Sequence, residues 1–191
     1  MQKTEYITEL YRKTLEHITV NAEAWRAFLR SAAYQYKYPF SDQILIYAQK
    51  PSATACASLE LWNKRLGRWI NRSATGIALL REKNGRCSLY HVFDVSDTHH
   101  RENEPFAVWS IRPEYEADVI EVLQNRFIDD GKTRDKVSDA VLAAAENLGT
   151  DNITDYLQEL SYGKEGSFLE ELDDDNIRVR LLITVQASAA Y

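Results

Sequence analysis

The sequence predicts an α+β fold with helices at both ends and a small antiparallel sheet between them. Three observations carry this. Up to about residue 50 the apolar positions recur at spacings of three and four, the mark of one-sided helices. Between residues 69 and 95 the chain turns to short β-rich runs joined by Asn84-Gly85, a strong hairpin signal. From Pro113 onward the helical spacing returns. We divide the chain at residue 110, with a helical-plus-sheet domain over 1–110 and an acidic helical extension over 111–191 expected to pack on it.

The first helix is expected over 4–19, with Ile7, Leu10, Tyr11, Leu15 and Ile18 on one stripe. Asn21 is placed to cap a second, whose inward face would carry Trp25, Phe28, Leu29, Ala32 and Tyr36. Pro39 interrupts it, and Ser41 or Asp42 is expected to cap a shorter helix ending near Pro51. Leu59, Trp62 and Leu66 suit a short helix that stops at Gly67 and puts Trp62 in the core. Trp69–Asn71, Gly76–Leu80 and Cys87–Val95 read as strands. The last is apolar on both faces, which predicts a central position. Pro105–Ile111 is expected to add a short strand.

Pro113 suits a first helical position, followed by Val119, Ile120, Leu123 and Phe127 on one face. Thr133–Leu148 reads as a helix stopped by Gly149, and Asp151–Leu160 as another. Ser167-x-x-Glu170 matches a capping box. Asp173-Asp174-Asp175 reads as a solvated charge run. Ile177–Tyr191 reads as a closing helix, or as the first piece of an element from a longer protein.

Of the 191 residues, 45% are hydrophobic and 27% charged, a globular composition that excludes disorder. The apolar runs are too short to span a membrane, and MQKTEYITEL lacks the apolar core of a signal peptide, so the expected compartment is the cytoplasm. Two cysteines, Cys56 and Cys87, are too few for a disulfide scaffold or a four-cysteine zinc site, and both read as small buried residues. The net charge of −6 is unevenly distributed: residues 1–100 carry +5 and residues 101–191 carry −11. The first half therefore keeps room for a nucleic-acid surface.

That surface is sought in residues 64–86. Lys64, Arg65, Arg68, Arg72, Arg81, Lys83 and Arg86 stand there against one acid, Glu82, for a net +6. Trp69 lies inside the run, with Trp62 and Tyr90 at its flanks. Cations neutralise phosphates and aromatic faces stack on unpaired bases, so these residue types together point to a single strand. The candidate nucleic-acid-binding set is Lys64, Arg65, Arg68, Trp69, Arg72, Arg81, Lys83 and Arg86. A second aromatic cluster, Tyr34, Tyr36, Lys37, Tyr38 and Phe40, reads mainly as packing. His91, Asp94, Asp97, His99 and His100 match no metal-site spacing. Gly67, Gly76 and Gly85 read as turns, not as a phosphate cradle. No catalytic residue, metal or cofactor is assigned, and the chain is expected not to be an enzyme.

Four blocks in order carry a family resemblance: Tyr36–Tyr47, Trp62–Trp69, Thr75–Leu80 and Val92–Thr98. Together they resemble the N-terminal domain of ArdC-like antirestriction proteins, in the version found at the front of large helicase/methylase-type proteins of conjugative mobile elements. The resemblance covers residues 5–110 in the ArdC sense and runs to about residue 175 for the mobile-element proteins. It implies single-stranded DNA binding in a protein that protects incoming DNA from host defence. The metalloprotease motif of full ArdC, His-Glu-x-x-His, is absent from this chain, as are helicase and methylase motifs. A rival expectation is an anti-CRISPR-type inhibitor, whose acidic C-terminal part imitates DNA phosphates on an RNA-guided Cas nuclease. A third is a docking module for a parent helicase/methylase.

Overall fold

The apolar stripe that opens the chain becomes α1, Lys3–Ile18, burying Ile7, Thr14 and Ile18. The computed structural model describes residues 3–83, 85–100 and 111–191. Helix α2, Ala22–Tyr34, begins at Asn21, whose side-chain oxygen accepts the N–H groups of Glu23 and Ala24 at 3.0 and 2.9 Å. Tyr36 lies beyond its end and is exposed, so the inward face stops at Ala32. Helix α3, Phe40–Gln49, begins before either expected cap: Pro39 is the N-cap and no side chain closes it. Asp42 is instead buried in its first turn, a position that suits a carboxylate.

Among the described residues five strands follow: β1 Cys56–Ala57, β2 Trp69–Ile70, β3 Ile77–Lys83, β4 Arg86–Asp94 and β5 Thr98–His99, all paired antiparallel. The short helix α4, Leu59–Lys64, sits between β1 and β2. It ends before Leu66, and Leu59 is exposed, so Trp62 alone of the expected trio anchors it. Strand β4 is the middle of the sheet β1-β4-β3, as its two-sided apolar pattern predicts. Strands β3 and β4 pair up to Lys83 opposite Arg86, and Gly85 has φ 70°, a left-handed value glycine adopts readily. Helix α3 packs on α1, α2 and β3, which is why three consecutive residues, Ile44, Leu45 and Ile46, are all buried. The strand expected over Pro105–Ile111 falls, except for Ile111, outside the described residues.

The chain divides into two units, Met1–Ser110 and Ile111–Tyr191. The second is helical. After a 3-10 turn at Pro113–Tyr115 come α5, Glu116–Phe127, α6, Val137–Ser161, and α7, Asp174–Ala189. The two helices expected around Gly149 are one. A Cβ at Gly149 would lie 2.6 Å from Gln186 Cγ of α7, so the glycine permits close helix approach rather than ending a helix. The Asp173–Asp175 run is likewise more than solvated charge. Asp173 caps α7 by accepting the Asn176 N–H at 2.9 Å, and that hydrogen bond holds its carboxyl below the usual range. The expected capping box closes a 3-10 turn, Phe168–Glu171, with Ser167 Oγ accepting from Leu169 N and Glu170 accepting from Gly166 N. The architecture is thus α+β, with helices before and after a small antiparallel sheet. Among the described residues no helix is long and apolar enough to cross a membrane.

Candidate nucleic-acid interface

The basic run is continuous in sequence and divided in space. Strand β4 separates its two halves. At one end of β4 lies the Lys83–Arg86 turn; at the other, Asp94 leads through a short 3-10 turn into β5, which pairs with β2. Eight steps of ~3.4 Å put Arg86 about 27 Å from Asp94. Lys64, Arg65, Arg68, Trp69 and Arg72 therefore form one group beside β2 and β5, and Arg81, Lys83 and Arg86 form another on the hairpin.

The β2–β5 group rests on a polar frame. Trp62 is 1% exposed and donates its indole N–H to Phe93 O at 2.8 Å, fixing α4 on β4. Asp94, also 1% exposed, accepts the N–H groups of Thr54, Ala55 and Ser96 and the Ser96 hydroxyl, at 2.6–3.0 Å. Burial pushes its pKa up, but these hydrogen bonds outweigh burial and hold the carboxyl below the usual carboxylate range. Lys50 reaches Asp97 at 2.7 Å and Asp94 at 3.8 Å.

On this frame the candidate residues differ. Arg68 donates to Thr98 Oγ1 at 2.7 Å and ties β2 to β5, so it holds the lobe together. Lys64 pairs with Glu60 at 2.8 Å along α4. Arg65 and Arg72 are exposed and have no acidic partner among the described residues. Between them in sequence, Trp69 is half-buried beside His99, ring centroids 6.4 Å apart, and His99 is held by Asn71 Oδ1 at 2.7 Å. Next to Asn71 a polar cleft of about 640 Å³ opens, lined by Tyr6, Lys50, Ser73, Thr75, Ser96 and Asp97 among others. Residue composition alone did not mark this cleft, because its walls come from α1, α3 and two loops.

On the hairpin, the Arg81 guanidinium lies 4.6 Å from the Tyr90 ring centroid. Tyr90 in turn donates its hydroxyl to Asp42 at 2.7 Å; burial and that hydrogen bond push its pKa up. Arg86 is exposed. Cys87 is exposed on the opposite face, not buried as its sequence context suggests, because the hairpin tip runs past the core. Cys56 is half-buried, and burial pushes its thiol up to about 12.

The expected aromatic cluster divides similarly. Tyr38 bonds Cys56 O and packs on the core, whereas Tyr36 and Phe40 are exposed. Among the described residues no three His, Cys, Asp or Glu side chains are placed to hold a metal ion. No family model, curated protein or solved structure matches the chain.

Proposed function

We propose that residues 1–110 form a non-enzymatic DNA-binding module that favours single strands, acting in the cytoplasm in counter-defence for a mobile element. One observation carries the binding reading: Arg65 and Arg72, exposed and without acidic partners among the described residues, bracket the half-buried Trp69 on the β2–β5 lobe. Phosphate neutralisation next to an aromatic face is the physical recipe for single-strand affinity. The counter-defence setting rests on the ArdC-like order of sequence blocks.

The test is a salt-titrated binding assay with labelled single- and double-stranded DNA. Affinity should fall with salt at a slope of about −0.7 per phosphate contact on single strands. Arg65→Glu with Arg72→Glu should abolish binding. Arg68 is left intact, since its loss would unfasten Thr98. Unchanged binding in the double variant would overturn the site.

A second reading has its own support in residues 111–191. A groove of about 510 Å³ opens there beside Phe168, 74% exposed, and Ile183, 62% exposed, with Glu170, Glu171 and Asp173 close in sequence. The groove is apolar apart from Arg180 and Thr184, and an exposed apolar groove in an acidic stretch of chain suits a protein partner, such as an RNA-guided nuclease. That reading expects a stable complex with the nuclease and little affinity for DNA alone.

A further inference from the structure

The outer part of the hairpin extends beyond any core. The pair Leu80 and Leu89 is the last to be half-buried; beyond it stand Arg81 opposite Ser88, Glu82 opposite Cys87 and Lys83 opposite Arg86. Arg81, Glu82, Gly85, Arg86, Cys87 and Ser88 are all exposed. Among the described residues, strand β1 pairs with β4 only at Asp94 and Phe93, and this stretch is a two-stranded ribbon. Three residue pairs project about 10 Å. The register puts Arg81, Ser88, Lys83 and Arg86 at positions of one face and Glu82 and Cys87 at positions of the other.

An apolar ribbon of this shape would seek another sheet. This one is polar throughout and has one basic face, so its partner is a polyanion wide enough to admit two strands. The major groove of duplex DNA is about 12 Å wide and about 8.5 Å deep, and it admits a two-stranded β-ribbon. The projection of the hairpin matches that depth. Unpaired DNA offers no such groove.

We infer that the Arg81–Ser88 ribbon is a duplex-contacting arm that enters the major groove, while the β2–β5 lobe beyond the other end of β4 holds unpaired DNA. The inference rests on the nucleic-acid reading above and narrows the ligand to a junction between single and double strands. Arg81 is suited to the base of such an arm, because the Tyr90 ring already fixes its guanidinium. Arg86 supplies a cation at the tip.

The test uses the full chain and two probes: a labelled single-stranded tail, and the same tail joined to a duplex arm. The fork should bind more tightly than the tail, with a salt slope steeper by about 1.8 for two further phosphate contacts. Guanine N7, which faces the major groove, should be protected from methylation in the duplex arm. Arg81→Gln with Arg86→Gln should remove the added slope and the protection while tail binding persists. An iron chelate tethered to exposed Cys87 in a Cys56→Ala background should cleave the duplex arm, a readout that leaves both arginines in place. Equal affinity for fork and tail, or a fork without N7 protection, overturns the arm and leaves the lobe standing. Absence of binding to either probe overturns both.

Discussion

The two units reach stability by different routes. In residues 1–110, large side chains fill the core: Phe28, Trp62, Ile44, Leu45, Ile46 and Leu79 are almost fully enclosed. Buried and half-buried polar groups then lock the backbone around them. Asp94 gathers residues 54, 55 and 96, Gln35 donates to Ala53 O, and Gln49 both donates to and accepts from Ala78. In residues 111–191 the buried set is mostly alanine, Ala140, Ala143, Ala144 and Ala145, with Ile120, Ile153 and Ile177. Tyr162, Phe168, Val179 and Ile183 remain exposed there. The first unit is specified by polar contacts that tolerate one partner. The second is specified by close helix approach and leaves apolar surface available.

This contrast is broken most severely at Asp94. Asp94→Ala leaves buried N–H donors unsatisfied and should cost residues 1–110 about 3–5 kcal/mol. Residue-resolved hydrogen exchange should show the loss there and little change in 111–191. Acid probes the same group. Its folded pKa is depressed, so its stabilisation is present above the unfolded value and is lost as pH falls through the folded one. Wild-type residues 1–110 should therefore weaken progressively below about pH 4. All four tryptophans lie in this part of the chain, so indole fluorescence reports it selectively. An Asp94→Asn variant should show a smaller acid-induced loss over the same range.

A smaller effect sharpens the other side. Gly149→Ala gains about 1 kcal/mol of helix propensity but meets Gln186 Cγ, and overpacking costs about 1–3 kcal/mol. The substitution should be neutral to destabilising in the wild type. In a Gln186→Ala background it should become stabilising by about 1 kcal/mol. A cycle of thermal melts that shows no change of sign would refute helix approach as the reason for the glycine. The smallest effect is expected on the interface. Arg65→Glu and Arg72→Glu should each change stability by no more than about 0.5 kcal/mol while DNA binding is lost, a separation that melts and binding assays on the same samples would reveal.

The sequence conveyed local features well. Asn21 reads as a cap and Asn84-Gly85 as a hairpin because their neighbours decide the matter within a few residues. The central place of β4 followed from its two apolar faces. Gly149 misled because the motif that ends helices is also the one that lets them touch, and only α7, more than thirty residues away in the chain, separates the two. Asp173 hid in a charge run for the same kind of reason: its role appears only once Asn176 is known to start a turn. The candidate interface was legible as composition and not as shape. Nothing in the run from Lys64 to Arg86 says that Arg68 is occupied by Thr98, thirty residues on.

Among the described residues strand β3 lies at the edge of its sheet, and the Gln49 side chain meets both the N–H and the carbonyl of Ala78, each at 2.9 Å. One amide thereby does what a neighbouring strand would do. A chain arriving to extend the sheet finds that rung already taken, and further out it meets Arg81 and Glu82. Replacing Gln49 with an apolar residue of similar size would reopen the rung, so the first sign of its loss should be fibre growth at high protein concentration rather than unfolding.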